Sequence, residues 1–125
     1  MLGNLLMVAA GGAAGSVARY LVVMAGVRVY GPGFPVGTLA VNVLGCFLMG
    51  VLWVWLTQTG RLAASPLLTA GLLGGFTTFS TFALDALGLW ERGAVAAAAA
   101  YVVASVLLSL LAVLGGVLLM RGALA

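Results

Sequence analysis

Four apolar runs, each long enough to cross a bilayer, occupy most of this 125-residue chain and leave only short connections between them. They cover about residues 2–25, 36–56, 67–84 and 94–120, and a helical span takes about 20 apolar residues. With 65% of residues hydrophobic and 6% charged, there are too few polar side chains to clothe a water-soluble surface. The expected fold is therefore an all-α integral membrane protein, with residues 1–125 forming one domain of four transmembrane helices. A cleaved secretory leader would carry positive charge ahead of its apolar stretch, but here the first charged side chain, Arg19, comes after it, so the first run reads as a retained span.

Charge is sparse and evenly shared. With four spans, Arg61 and Arg121 fall on one side of the membrane and Arg28 and Arg92 on the other, joined by Arg19 if it lies near the surface. Because the Lys/Arg difference between loops sets orientation, such a chain has little to choose its direction by. The expectation is insertion both ways round, with opposite copies pairing. Small-residue faces for helix contact are present: Gly11 and Gly15 stand four apart in the first span, and Gly71 and Gly75 in the third. Spacing leaves open whether they meet another copy or pack within one chain.

The third run is unlike the others. From Gly74 to Phe82 it gathers two glycines, four hydroxyls and three phenylalanines. Glycine loosens a helix and Thr and Ser compete for its backbone bonds, and irregular backbone at membrane depth survives only against protein or a water-filled cavity. A break and a site are expected there.

The remaining polar groups at depth are few and uncharged. Tyr101, Ser105 and Ser109 recur at i, i+4 and i+8, one stripe of the fourth span, and serve either as a hydroxyl ladder or as small residues permitting close packing. Asn42, one turn from Thr38 and from Cys46, either ties helices together or lines a polar path. Arg19 needs a carbonyl, an anion or a carboxylate as partner. Asp85 and Glu91 are expected as solvated carboxylates at or beyond the end of the third span, and Cys46 as a small apolar packing residue.

This inventory excludes several classes. One cysteine and no histidine leave no disulfide, thiol–imidazole pair or zinc site, and with two peripheral carboxylates there is no constellation for an enzyme. Five scattered arginines form no nucleic-acid patch. A proton-coupled exporter would want a carboxylate within a span. A helper subunit, in which the glycines and hydroxyls serve only helix packing, stays open and would carry no ions. Neutral donors with aromatic edges suit a small anion: Asn, Ser, Thr and Tyr donate hydrogen bonds, a phenyl ring is positive at its edge, and the absence of lysine avoids holding the ion too tightly to release it.

The string Gly74 to Phe82, with Gly11-Gly12 through Arg19-Tyr20 and Gly37 through Gly45, closely resembles the bacterial Fluc (CrcB) fluoride channels over nearly the whole chain. The resemblance implies a passive, fluoride-selective channel of the bacterial inner membrane, built as an antiparallel homodimer that exports fluoride and so reduces its toxicity. It implies a fluoride pathway of Phe79 and Phe82, presenting ring edges, with Ser80, Thr81, Asn42, Tyr101, Ser105 and Ser109, and a vestibule arginine at Arg19. It also implies a structural sodium ion at the dimer centre, held by backbone carbonyls at Gly74 and Thr77, which no side-chain pattern would have suggested.

Overall fold

A computed structural model describes residues 1–125. It is all-helical, with four segments long and apolar enough to span a membrane. Helix α1 covers Leu2–Tyr30 and α2 covers Val36–Gln58. The third segment opens, after a short 3-10 turn, with a π-helix at Pro66–Leu73, runs through one turn of α-helix, α3, at Gly74–Phe76, breaks, and resumes as α4 at Phe79–Glu91. Helix α5 covers Val95–Leu124. The helices outrun the apolar stretches because caps and loops stop them later than hydropathy fades. Gly31 and Gly93, both at positive φ, turn the chain after α1 and α4.

The break has a local cause and a tertiary one. Thr77 and Thr78 are extended, with φ/ψ of −83°/156° and −151°/125°. Their hydroxyls compensate: Thr77 Oγ1 donates to Leu73 O at 2.9 Å, and Thr78 Oγ1 caps α4 by accepting from Thr81 N at 3.2 Å. Around this point the segment changes neighbours. Its π-helix and α3 pack along α1, α4 packs along α5, and α2 lies between α1 and α5. The extended pair is thus where the third segment crosses α2. Gly45 permits the crossing, since a Cβ there would collide with Cγ2 of Thr77.

The glycine pairs prove to be internal. A Cβ on Gly11 would meet Leu67 O, one on Gly15 would meet Leu72 O, and one on Gly75 would lie 2.7 Å from Gly12 O. The backbones of α1 and the third segment therefore touch, which only hydrogen at these positions allows. Gly50 and Gly116 do the same for α2 and α5, against Val113 O and Phe47 O. Glycine costs a helix interior up to about 1 kcal/mol, offset here by close packing along the whole seam.

Aromatic side chains mark both ends of the bundle. Tyr30 and Trp90 are exposed at the ends of α1 and α4, and Trp53 is exposed near the opposite end, in the last turns of α2. There Arg61 lies over the Trp55 ring at 5.1 Å. These are the amphipathic rings expected at headgroup level. Arg92 closes the other end, its Nη2 donating to Gly33 O at 2.8 Å across two loops.

Candidate functional site

A hollow of about 500 Å³ opens beside the break, between α2, α4 and α5. Three elements supply its wall: Asn42 and Cys46 from α2, one turn apart; Gly74, Thr77, Thr78, Phe79 and Phe82 from the broken segment; and Ser105, Val106, Ser109 and Leu110 from α5. Geometry therefore gathers Asn42, Phe79, Phe82, Ser105 and Ser109, the core of the candidate pathway, around one space.

Asn42 is the hinge pin. Its Nδ2 donates to Thr78 O at 2.9 Å, and its Oδ1 accepts from Thr78 N at 2.8 Å. One amide thereby replaces both backbone partners that Thr78 gave up on leaving the helix, where an unpaired buried donor or acceptor would cost about 1–3 kcal/mol. Of the two readings of Asn42 left open by its sequence, the tie between helices is present, and the residue also stands on the wall of the hollow.

Ser105 carries the one buried side-chain polar atom that is left without a partner. It is 5% exposed, and its Oγ is buried with no hydrogen-bond partner in the protein. A hydroxyl in that state is a donor awaiting an acceptor. Ser109, one turn further along α5, is half-buried on the same wall.

The two rings have different surroundings. Phe82 is 8% exposed and Phe79 80% exposed, so one is packed and the other stands at the open side. Their centroids are 5.5 Å apart with planes inclined at 68°, an edge-type contact. Behind Phe82 the stack continues to Tyr101 at 5.3 Å and from Tyr101 to Phe34 at 5.5 Å.

Tyr101 departs from the serines with which it shares a helical stripe. It is fully buried outside the hollow, and its hydroxyl donates to Asp85 Oδ2 at 3.2 Å. This corrects the expectation for Asp85 as well. α4 runs to Glu91, so Asp85 lies inside the helix, half-buried and partnered, not solvated beyond its end. A signal for this pair does exist in the sequence, because residues 85 and 101 are equidistant from Gly93, about which the α4–α5 hairpin turns.

Other candidates sit apart from the hollow. Ser80 is exposed, with its Oγ 3.4 Å from Thr78 Oγ1, and Thr81 is engaged through its backbone N–H in the α4 cap. Arg19, half-buried on α1, donates from Nε to Gly75 O at 3.0 Å, which makes a backbone carbonyl its partner. Two polar wall residues, Thr78 and Cys46, are not marked as such by the sequence, and neither are the apolar Val106 and Leu110. Thr78 was hidden within the motif as one hydroxyl among four, and Cys46 lines the hollow where a plain packing residue was expected.

The carbonyls of Gly74 and Thr77 are left without hydrogen bonds. Thr78 N, the donor that a continuous helix would have offered to Gly74 O, goes to Asn42, and no backbone N–H reaches Thr77 O. Two free carbonyl oxygens near a helix C-terminal end are hard donors in a region of negative dipole, a set that fits a sodium ion.

A family model described as CrcB-like protein, Camphor Resistance (CrcB) matches residues 6–117. Among similar curated proteins is one of Cereibacter sphaeroides, 55% identical over 122 residues that make up 98% of each chain. Another, of Paracoccus denitrificans, is 54% identical over 117 residues and 94% of each chain. A third, of Rhizobium etli, is 52% identical over 118 residues, 93% of this chain and 94% of the relative. All three are named fluoride-specific ion channel FluC.

Proposed function

Because this chain belongs to the CrcB-like family, we propose that it is a fluoride-selective passive ion channel, exporting fluoride from the cytoplasm and so reducing fluoride toxicity. It is a multi-pass membrane protein and a conduit, not an enzyme. The observation that carries the reading is the hollow at the break, walled by neutral donors and ring edges, with the Ser105 hydroxyl buried and unclaimed.

A fluoride ion entering this space must shed water, and each lost hydration contact has to be replaced at comparable strength. Ser105 and Ser109 offer hydroxyl protons, and Phe79 and Phe82 offer the positive rims of their rings. The N-terminus of α4 lies at the break, adding a fixed positive partial charge without a mobile countercharge. No ionic side chain touches the hollow, so nothing there holds the ion strongly enough to trap it.

The open side of the hollow, where Phe79 and Gly74 are exposed, is read as the face covered by a second, oppositely oriented copy in the inner membrane. Support comes from the near-balance of arginines between the two sides and from the exposure of the motif's own residues. The Gly74 and Thr77 carbonyls would hold the structural sodium, which would supply positive charge near the pathway. Arg19 belongs to this arrangement through Gly75, as a vestibule residue that also steadies the break.

Reconstitution tests the reading. Liposomes loaded with fluoride or chloride are opened to a potassium-driven voltage, and efflux is followed with ion-selective electrodes. Rapid fluoride release without chloride release is expected. Equal release of both ions, or release of neither, overturns the assignment.

A further inference from the structure

The loop between α1 and α2 is short and heavily constrained. Residues 31–35 read Gly-Pro-Gly-Phe-Pro. Gly31 turns at a φ of 78°, the two prolines fix their own φ, and Val36 N donates to Phe34 O at 2.8 Å. Arg92 Nη2 donates to Gly33 O at 2.8 Å, tying this loop to the turn between α4 and α5. So held, the loop places one large side chain on the core. Phe34 is half-buried and packs against the cluster of Phe82, Leu89, Ala98 and Tyr101.

The Phe34 ring meets Tyr101 edge-on, with centroids 5.5 Å apart and planes at 85°. Tyr101 is fully buried, is tethered at its hydroxyl to Asp85, and meets Phe82 at 5.3 Å. Phe82 is 8% exposed and lines the hollow. In an interior packed this closely, a ring turns only if its neighbours move. We propose that Phe34 is a positioning residue for the fluoride pathway: through Tyr101 it sets the angle at which Phe82 presents its ring to the hollow, and Arg92 latches the loop that carries it. This deepens the channel reading and rests on it. Without the Phe34 ring, Tyr101 tilts about its Asp85 tether into the freed space and Phe82 follows, drawing its rim from the hollow. An aliphatic side chain fills much of the volume but lacks the ring quadrupole that fixes an edge-on contact.

Two readouts keep positioning and conduction apart. Protein grown with 4-fluorophenylalanine carries the label at all five phenylalanines, and the resonance that disappears in Phe82→Leu belongs to Phe82. That resonance is expected to shift in Phe34→Leu and to stay in place in Phe34→Tyr. Fluoride efflux is measured on unlabelled protein and scaled to the folded protein recovered from the liposomes. It falls by up to about tenfold in Phe34→Leu, the rate equivalent of one ring pair, and returns in Phe34→Tyr. Arg92 is exposed, so Arg92→Gln needs no repacking of the core; it should shift the resonance in the same direction and slow efflux less. An unmoved Phe82 resonance in both Phe34→Leu and Arg92→Gln overturns the positioning, whatever the efflux. A moved resonance with full efflux in Phe34→Leu overturns its bearing on conduction, and equal loss in Phe34→Leu and Phe34→Tyr overturns the need for that ring. Absence of efflux from the unsubstituted protein strikes the channel reading alone, since the resonance still reports whether Phe34 sets the Phe82 ring.

Discussion

The third membrane segment has two faces of opposite character. Toward α1 it is closed: Gly11, Gly15 and Gly75 bring backbone against backbone with no room for a methyl group. Toward α2 and α5 it borders a hollow of about 500 Å³ with a buried hydroxyl unpaired and a phenyl ring standing free. The closed face buys the open one. Polar irregularity at membrane depth is tolerable only if the surrounding backbone is held, and the glycine seam, the Arg19 bond to Gly75 and the Asn42 clasp on Thr78 do the holding.

Substitutions can break or sharpen this contrast, with the largest loss of stability expected in the glycine seam and the smallest at the exposed ring. Gly15→Val forces α1 away from Leu72 O, so a loss of more than about 3 kcal/mol is expected. It would be measured as a collapse of the folded peak in size-exclusion after heating in detergent, and a well-folded variant would refute the seam. Asn42→Leu leaves both Thr78 backbone groups unpaired and should cost about 2–4 kcal/mol. Asn42→Asp keeps the acceptor for Thr78 N but sets a carboxylate against Thr78 O and in the hollow. Fluoride efflux should stop with a smaller loss of melting temperature than in Asn42→Leu.

Arg19→Gln removes one charge-assisted bond to Gly75 O, an effect of about 1–2 kcal/mol by the same thermal assay. At the far end, Phe79→Ile should change stability by less than about 0.5 kcal/mol, because the ring is 80% exposed in a single chain. Its fluoride efflux should nonetheless be abolished. Normal efflux in this variant would break the contrast at its functional end, and a large stability loss would show that the exposed ring is a packing element of the assembly.

Much of this was legible before any coordinates. Apolar length gave four spans, and two glycines beside four hydroxyls marked where the third would fail as a helix. The serine stripe on α5 could be read because a helix repeats faithfully enough for i, i+4 spacing to mean one face. Other features were not readable, each for a physical reason. Gly11 and Gly15 advertise close approach but carry no side chain to say to what. The spacing of Asn42 says nothing of which backbone its amide meets, 36 residues away. Tyr101 shares a stripe with Ser105 yet turns its hydroxyl to Asp85, since its longer side chain reaches past the helix face that spacing describes. Free carbonyls at Gly74 and Thr77 follow from a bond made elsewhere, by Asn42, and leave no trace in residue type.

The interruption between Phe76 and Phe79 also bears on how the chain enters the bilayer. At about 1.5 Å per residue, the 13 residues of α4 reach about 20 Å, and Pro66–Phe76 less still, against a hydrocarbon slab of about 30 Å. Neither piece spans the slab alone, and the joint between them has peptide groups that lipid cannot satisfy. Arg19 and Asn42 precede the broken segment in the chain, so the side chains that hold the break are synthesised before the backbone they hold.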